Sequence, residues 1–356
     1  MHIVADENIP CVEDAFRSLG QVTTCNGRQL SPADICDADV LLVRSVTRVD
    51  ESLLAGSPVR FVASATAGLN HVDLDYLARA NIGFANAPGS NAISAAEYVI
   101  AAICYWARHE GRSLEGLTVG IIGLGNVGSR VRQRCERLGM RCLANDPPLA
   151  ERGHAGLTTL EAVLDCDVVT CHVPLEVGGR HPTQQLLDRQ ALSRLRPGAL
   201  LINASRGEVV DEEALLRRMR EQGDISVVLD VWAHEPAIDV EMLRHCLLGT
   251  AHIAGYSIDA KVRGTEMIYQ ACCRFLGVEP VWRMADVDFP VARRDVELRA
   301  GDPDVCASVL GAYDIEADSR RLGQLLSDPS LDVAYWFDHL RKHYPVRREF
   351  TLELDE

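Results

Sequence analysis

The stretch VGIIGLGNVGSRVRQRCERLG, residues 119–139, decides the fold. It opens on a β-branched apolar run, passes through GLGNVG and continues as a helical pattern. A GxGxxG string alone is a weak signal, but a strand before it and a helix after it give it a mechanism. Gly123 permits the tight turn, Gly125 removes the side chain that would block a pyrophosphate, and Gly128 lets the helix pack against the strand. With Asn126 and Val127 these residues form a loop whose unpaired amides, at a helix N-terminus, receive an anion. The next strand, RCLAND, ends in Asp146, 18 residues past Gly128. A carboxylate there accepts hydrogen bonds from both ribose hydroxyls and repels a 2′-phosphate, so the expected cofactor is NAD rather than NADP.

Outward from this loop, short apolar runs alternate with helical patterns, the signature of parallel βαβ units. Before it, HIVAD, DVLLVRS and RFVASATAG read as strands, with VEDAFRSLG as a helix ending at Gly20. Residues 91–110 form a long apolar helix, long enough to bridge two domains. After the loop, DCDVVTCHVPL, GALLINASRG and ISVVLDVW continue the rhythm, and residues 251–285 read as helix again. The last 70 or so residues are more charged, with VELRAG and REFTLELDE as expected strands beside helical patterns. No internal repeat or low-complexity tract interrupts the chain.

At 356 residues, 47% hydrophobic and 24% charged, the chain has the composition of a soluble globular protein of two or three domains. Its 36 basic and 51 acidic residues give a net charge of −15, which argues against a nucleic-acid partner. A few local arginines can still set the potential of one anion site. The twelve cysteines are scattered, without paired CxxC motifs. They read as reduced core residues, with neither disulfide framework nor metal site expected. The N-terminus lacks a signal pattern and no apolar run has the length of a membrane span, so a cytoplasmic location is expected.

Three further segments end expected strands. NASRG places Arg206 after LLIN, LDVWAHEP places Asp230 and Glu235 after VVLD, and GTAHIAGYS places His252 after a short apolar run. Ligands gather at such strand ends in open α/β sheets. A lone histidine is more often structural, and an arginine or a loop carboxylate has ordinary surface roles. After a dinucleotide loop, the three together suit oxidation of a 2-hydroxy acid. His252 is the expected general acid/base for the C2 hydroxyl. Glu235 on its other ring nitrogen would fix the tautomer and favour the charged ring. Arg206 would grip the substrate carboxylate and C2 oxygen.

With these motifs the chain resembles the D-isomer-specific 2-hydroxyacid dehydrogenase family, through GLGNVG, Asp146, HVPL, NASRGEVVDEEAL, LDVWAHEP and HIAGYS in that order. The resemblance implies two doubly wound open parallel-sheet domains: a flavodoxin-like substrate domain (1–92 and 255–285) and a Rossmann NAD domain (93–254). It places the catalytic roles on Arg206, Glu235 and His252. Cofactor contacts fall to the glycine loop, Asp146, Val173, Ala204, Ser205, Arg206, Asp230 and Gly255. Much of the family has proline before the catalytic histidine, where Ala251 stands here. That departure, with DENIP, VRSVTRVDESLLAG, APGSNAISAAEYV, HIAGYSIDAKVRGT and YPVRREF, resembles one branch and extends the likeness over nearly the whole chain. The branch implies 4-phospho-D-erythronate as substrate, a place in pyridoxal 5′-phosphate synthesis, and a small α+β C-terminal domain (286–356) that forms a homodimer. The end of that domain is expected to be trimmed, since REFTLELDE (348–356) is the last stretch of the sequence.

The phosphate of such a substrate needs a cradle. Arg44 and Ser45, with Thr66 on the neighbouring strand end, are the expected one, and Tyr256 is a further substrate contact. A solvated or ion-paired Arg44 is the plain alternative, with Arg347 or Arg348, from this chain or a partner subunit, as other cations. Two rival functions stay open: a sister enzyme such as a phosphoglycerate dehydrogenase or glyoxylate reductase, and an NAD-sensing binding protein.

Overall fold

Runs of β-branched and aliphatic residues with no polar alternation become strands covered on both faces, as parallel sheets require. The computed structural model describes residues 1–350 and contains two such sheets. The chain divides into two compact units.

The first unit comprises Met1–Asn91 and Tyr256–Ala292. Its strands are β1 (His2–Asp6), β2 (Gln21–Cys25), β3 (Val40–Val43), β4 (Phe61–Ser64) and β5 (Gly83–Asn86). They lie in the order β2-β1-β3-β4-β5, all parallel. This is the flavodoxin-like order, and its reversal falls between β1 and β3. The helix Ile258–Leu276 returns to this unit and packs its buried face, Ile268, Tyr269, Cys272 and Cys273, on Ile3, Phe61 and Ala63.

The second unit comprises Ala92–Gly255 and the segment from Arg293 onward. Its strands are β6 (Thr118–Ile122), β7 (Arg141–Asn145), β8 (Val168–Cys171), β9 (Leu200–Asn203), β10 (Ser226–Leu229) and β11 (Leu248–Gly249). The order β11-β10-β9-β8-β6-β7 is again parallel, with its reversal between β6 and β8. The helix Ala92–Glu110 is mostly apolar and buried along most of its length, with Ser94 and Glu97 buried among its apolar residues.

Two expectations change. The C-terminal segment is helical among the described residues, with helices Val305–Ala312, Ile315–Leu322 and Val333–Lys342, and VELRAG (296–301) is not a strand. The other expected strand, REFTLELDE, runs into 351–356, outside the described residues. Arg347 is only 10% exposed, and its Nη1 pairs with Glu97 on the long helix. Its ring partner is Tyr313, 4.4 Å away. A cation buried against a buried carboxylate ties the C-terminal segment to its own unit and is unsuited to a substrate anion.

Candidate active site

Gly123 follows β6 with φ +89°, a conformation that excludes most side chains. A Cβ at Gly128 would stand 2.0 Å from the Gly123 carbonyl oxygen, so the helix Asn126–Arg137 reaches its strand only through glycine. A Cβ at Gly125, by contrast, would meet nothing within 4 Å. Gly125 is also the N-cap, and no side chain caps the helix. Open space above uncapped amides is what a pyrophosphate needs. Val173 lies against the turn, 2.9 Å from where a Gly123 Cβ would be. It follows β8, across the reversal from β6.

Asp146 follows β7. One carboxylate oxygen accepts from the Leu124 amide at 2.8 Å, and the other caps the helix Pro147–Glu151 through the Leu149 amide at 3.0 Å. Each oxygen has a second lone pair, so the carboxylate that braces the glycine loop still has capacity for ribose hydroxyls. The residues fit a dinucleotide.

After β9, Asn203 shapes the turn. Its Oδ1 accepts from the Ser205 amide and hydroxyl, at 3.1 and 2.8 Å, and its Nδ2 donates to the Arg206 carbonyl at 2.9 Å. A Cβ at Gly207 would stand 1.9 Å from the Trp232 carbonyl carbon. Glycine therefore lets the Arg206 turn lie directly on the backbone that leads to Glu235. Arg206 is half-buried, with Nη1 on the Ser205 carbonyl at 2.6 Å. Ala204 is half-buried in the same turn.

His252 has φ +52°, left-handed for a residue with a side chain. Such strain persists where the surroundings over-determine it. Asp230 supplies the constraint. Its carbonyl accepts from the His252 amide at 2.7 Å, and its carboxylate accepts from Ile253 and Ala254 amides at 2.7 and 2.9 Å and from the Thr250 hydroxyl at 2.7 Å. Asp230 is 1% exposed, so the residue expected among the cofactor contacts spends its carboxylate on holding the histidine loop. Desolvation raises its pKa, against the lowering effects of His252, Thr250 and the two amides. Tyr98 on the long helix adds a hydroxyl contact to Thr250 at 2.8 Å. Gly255 ends the loop, half-buried.

The His252 Nδ1 donates to Glu235 Oε2 at 2.7 Å, while Glu235 Oε1 accepts from the Trp232 amide at 3.0 Å. Burial alone would raise the Glu235 carboxyl. The hydrogen bond and charge of His252, the Trp232 amide and the Arg341 cation outweigh burial and hold it below the usual range. Glu235 is therefore the ionised acceptor, Nδ1 carries the proton, and Nε2 is left as the basic atom. By contrast, His172 of the HVPL motif is half-buried just past β8. Burial lowers it to about 3, and its Nε2 stands 3.0 Å from the Thr170 hydroxyl.

In the first unit, Arg44 leaves the end of β3 and pairs through Nε with Asp6 Oδ2 at 3.1 Å. Ser45 is exposed beside it. Thr66 follows the neighbouring β4, its hydroxyl 2.9 Å from Ser64 Oγ, which also meets His71 Nε2 at 3.0 Å. Tyr256 has the Lys261 ammonium 4.9 Å from its ring centroid. Sequence reasoning passed over Lys261, although it stands inside HIAGYSIDAKVRGT. Among the described residues no cluster of metal-binding side chains occurs, and no helix is long and apolar enough to cross a membrane.

Residues 94–254 match the family described as D-isomer specific 2-hydroxyacid dehydrogenase, NAD binding domain. The erythronate-4-phosphate dehydrogenase of Hahella chejuensis is 45% identical over 98% of this chain and 93% of its own. That of Salinibacter ruber is 47% identical over 98% and 92%. Among solved structures, NAD+-bound 3-phosphoglycerate dehydrogenase of Entamoeba histolytica aligns with a TM-score of 0.67 at 26% identity, covering 80% of this chain and 98% of that one.

Proposed function

Because the chain belongs to the erythronate-4-phosphate dehydrogenases, within the D-isomer-specific 2-hydroxyacid dehydrogenase family, we propose that it oxidises 4-phospho-D-erythronate to (R)-3-hydroxy-2-oxo-4-phosphooxybutanoate, a step in pyridoxal 5′-phosphate synthesis. The cofactor is NAD. The observation that carries the catalytic reading is the 2.7 Å bond between His252 and an ionised Glu235, on a loop held by Asp230.

NAD, when bound, supplies the hydride acceptor; the GLGNVG amides and Asp146 are the residues that would hold it. The protein supplies everything else. His252 Nε2 takes the proton of the C2 hydroxyl as general base. Glu235 keeps the ring in the tautomer that leaves Nε2 free and stabilises the imidazolium that forms. Arg206 holds the substrate carboxylate and C2 oxygen with its fork of donors. Arg44, Ser45 and Thr66 take the phosphate, and Tyr256 contacts the substrate. The homodimer through residues 286–356 and a cytoplasmic location belong to the same reading; the first is checked by the mass of the protein in solution.

The substrate reading is tested by comparing 4-phospho-D-erythronate with D-erythronate in wild type and Arg44→Ala. The variant is expected to raise KM for the ester by about 10- to 100-fold, the effect of one lost charge-assisted hydrogen bond, with little change for the unphosphorylated acid. Equal losses on both remove Arg44 from the phosphate. Glu235→Gln tests the couple. A glutamine amide no longer requires the proton on Nδ1, so kcat is expected to fall by about 10²-fold or more while KM for NAD stays near wild type. A kcat near wild type separates Glu235 from the base.

A further inference from the structure

The first sheet reverses its strand order between β1 and β3, and charged side chains leave both strand ends there. Asp6 ends β1 and Arg44 follows β3, paired at 3.1 Å. Asp6 is 2% exposed, and its other oxygen accepts from the Asn8 amide at 2.8 Å. In open α/β sheets this reversal is where ligands bind.

The helix Ile258–Leu276 is docked over the same point by two contacts. At Gly264 a Cβ would stand 2.6 Å from the Ala65 carbonyl oxygen, so the helix rests on the chain leaving β4. At Thr265 the hydroxyl donates to the Pro10 carbonyl at 2.8 Å, tying the helix to the chain leaving β1. In the sheet, β3 runs between β1 and β4. Lys261 lies three and four residues before these anchors, so it shares their helix face one turn nearer the N-terminus. Arg44 follows β3, the strand between the two chains on which the helix is anchored. The Lys261 ammonium is held over the Tyr256 ring at 4.9 Å.

Lys261 keeps surface exposure, yet the surrounding protein and then the Arg44 charge lower its ammonium below the usual lysine range. The Asp6 carboxylate offsets part of that repulsion through its ion pair with Arg44. Two cations brought together beside a helix N-terminus are unfavourable until an anion lies between them. Asp6 does not serve, since it is engaged on Arg44 Nε and on Asn8.

We propose that Lys261 and Arg44 form the seat of the substrate phosphate, with Lys261 as a specificity-determining residue. The proposal rests on the reading of the substrate as a phosphorylated acid. It places the second phosphate ligand on the returning helix rather than on the strand ends that the motif alone points to.

The test compares Lys261→Met and Lys261→Arg with wild type, using 4-phospho-D-erythronate, D-erythronate and inorganic phosphate. Lys261→Met is expected to raise KM for the ester by about 10- to 100-fold and to leave kcat/KM for D-erythronate unchanged. Calorimetric binding of inorganic phosphate should weaken in step, and Lys261→Arg should restore most of both. An unchanged KM for the ester, or equal losses on both acids, overturns the proposal. The two readings fail separately. If wild type does not oxidise the ester, the substrate reading falls. Phosphate binding that weakens in Lys261→Met then still supports the anion seat, and binding that stays the same overturns it.

Discussion

Replacing His252 by alanine is expected to lower kcat by about 10²- to 10⁴-fold, the loss that follows removal of a positioned general acid/base. The loop should keep its course, because Asp230 holds it through the backbone amides of His252, Ile253 and Ala254 and the Thr250 hydroxyl. NAD affinity, measured by protein fluorescence, should therefore stay near wild type while turnover collapses. The left-handed backbone at His252 (φ +52°) accepts alanine with modest strain. A variant with near-normal turnover would assign the proton to another group. Turnover lost together with cofactor binding would instead mean that the substitution disturbs the loop.

The second large effect is expected at Arg206. Its turn is set by Asn203 and by the close approach of Gly207 to Trp232, neither of which needs the guanidinium. Arg206→Gln should therefore fold normally. It should lose about 10²- to 10³-fold in kcat/KM, the range for removing one preorganised donor to developing charge. Arg206→Lys keeps the charge but not the planar fork, so it should recover only part of the loss. Full recovery by lysine would show that charge alone suffices and would contradict a bidentate grip on the substrate. Steady-state kinetics with saturating NAD separates the two.

The glycine loop was legible in the sequence because its requirements are local and steric. A turn with φ +89° at Gly123 and a helix 2.0 Å too close for a side chain at Gly128 are satisfied by one residue type. The His252–Glu235 pair was legible because an imidazole and a carboxylate stand just past two buried apolar strands. The grip of Asp230 on the histidine loop was not, since its partners are about 20 residues away in sequence and meet it only in the folded chain. Lys261 was missed for a related reason. Nothing in HIAGYSIDAKVRGT says that Gly264 and Thr265 dock on the chain leaving β4 and β1. Arg347 read as a free cation because its partner, Glu97, lies 250 residues earlier. Strand β2 (QVTTC) carries no apolar run, having largely exposed or half-buried residues at the sheet edge.

The relatives of the chain carry the reading of its substrate as a phosphorylated four-carbon 2-hydroxy acid, oxidised with NAD. The measurement that bears on it first is NADH formation by the purified protein with 4-phospho-D-erythronate, beside 3-phospho-D-glycerate and D-glycerate, with a 2-oxo acid present to recycle NADH. Turnover of the erythronate ester, and little of the other two, is the expected result. Turnover confined to 3-phospho-D-glycerate or D-glycerate would keep the fold, the cofactor and the His252–Glu235 couple but contradict the substrate. NAD binding without turnover of any of the three would contradict the enzymatic reading itself.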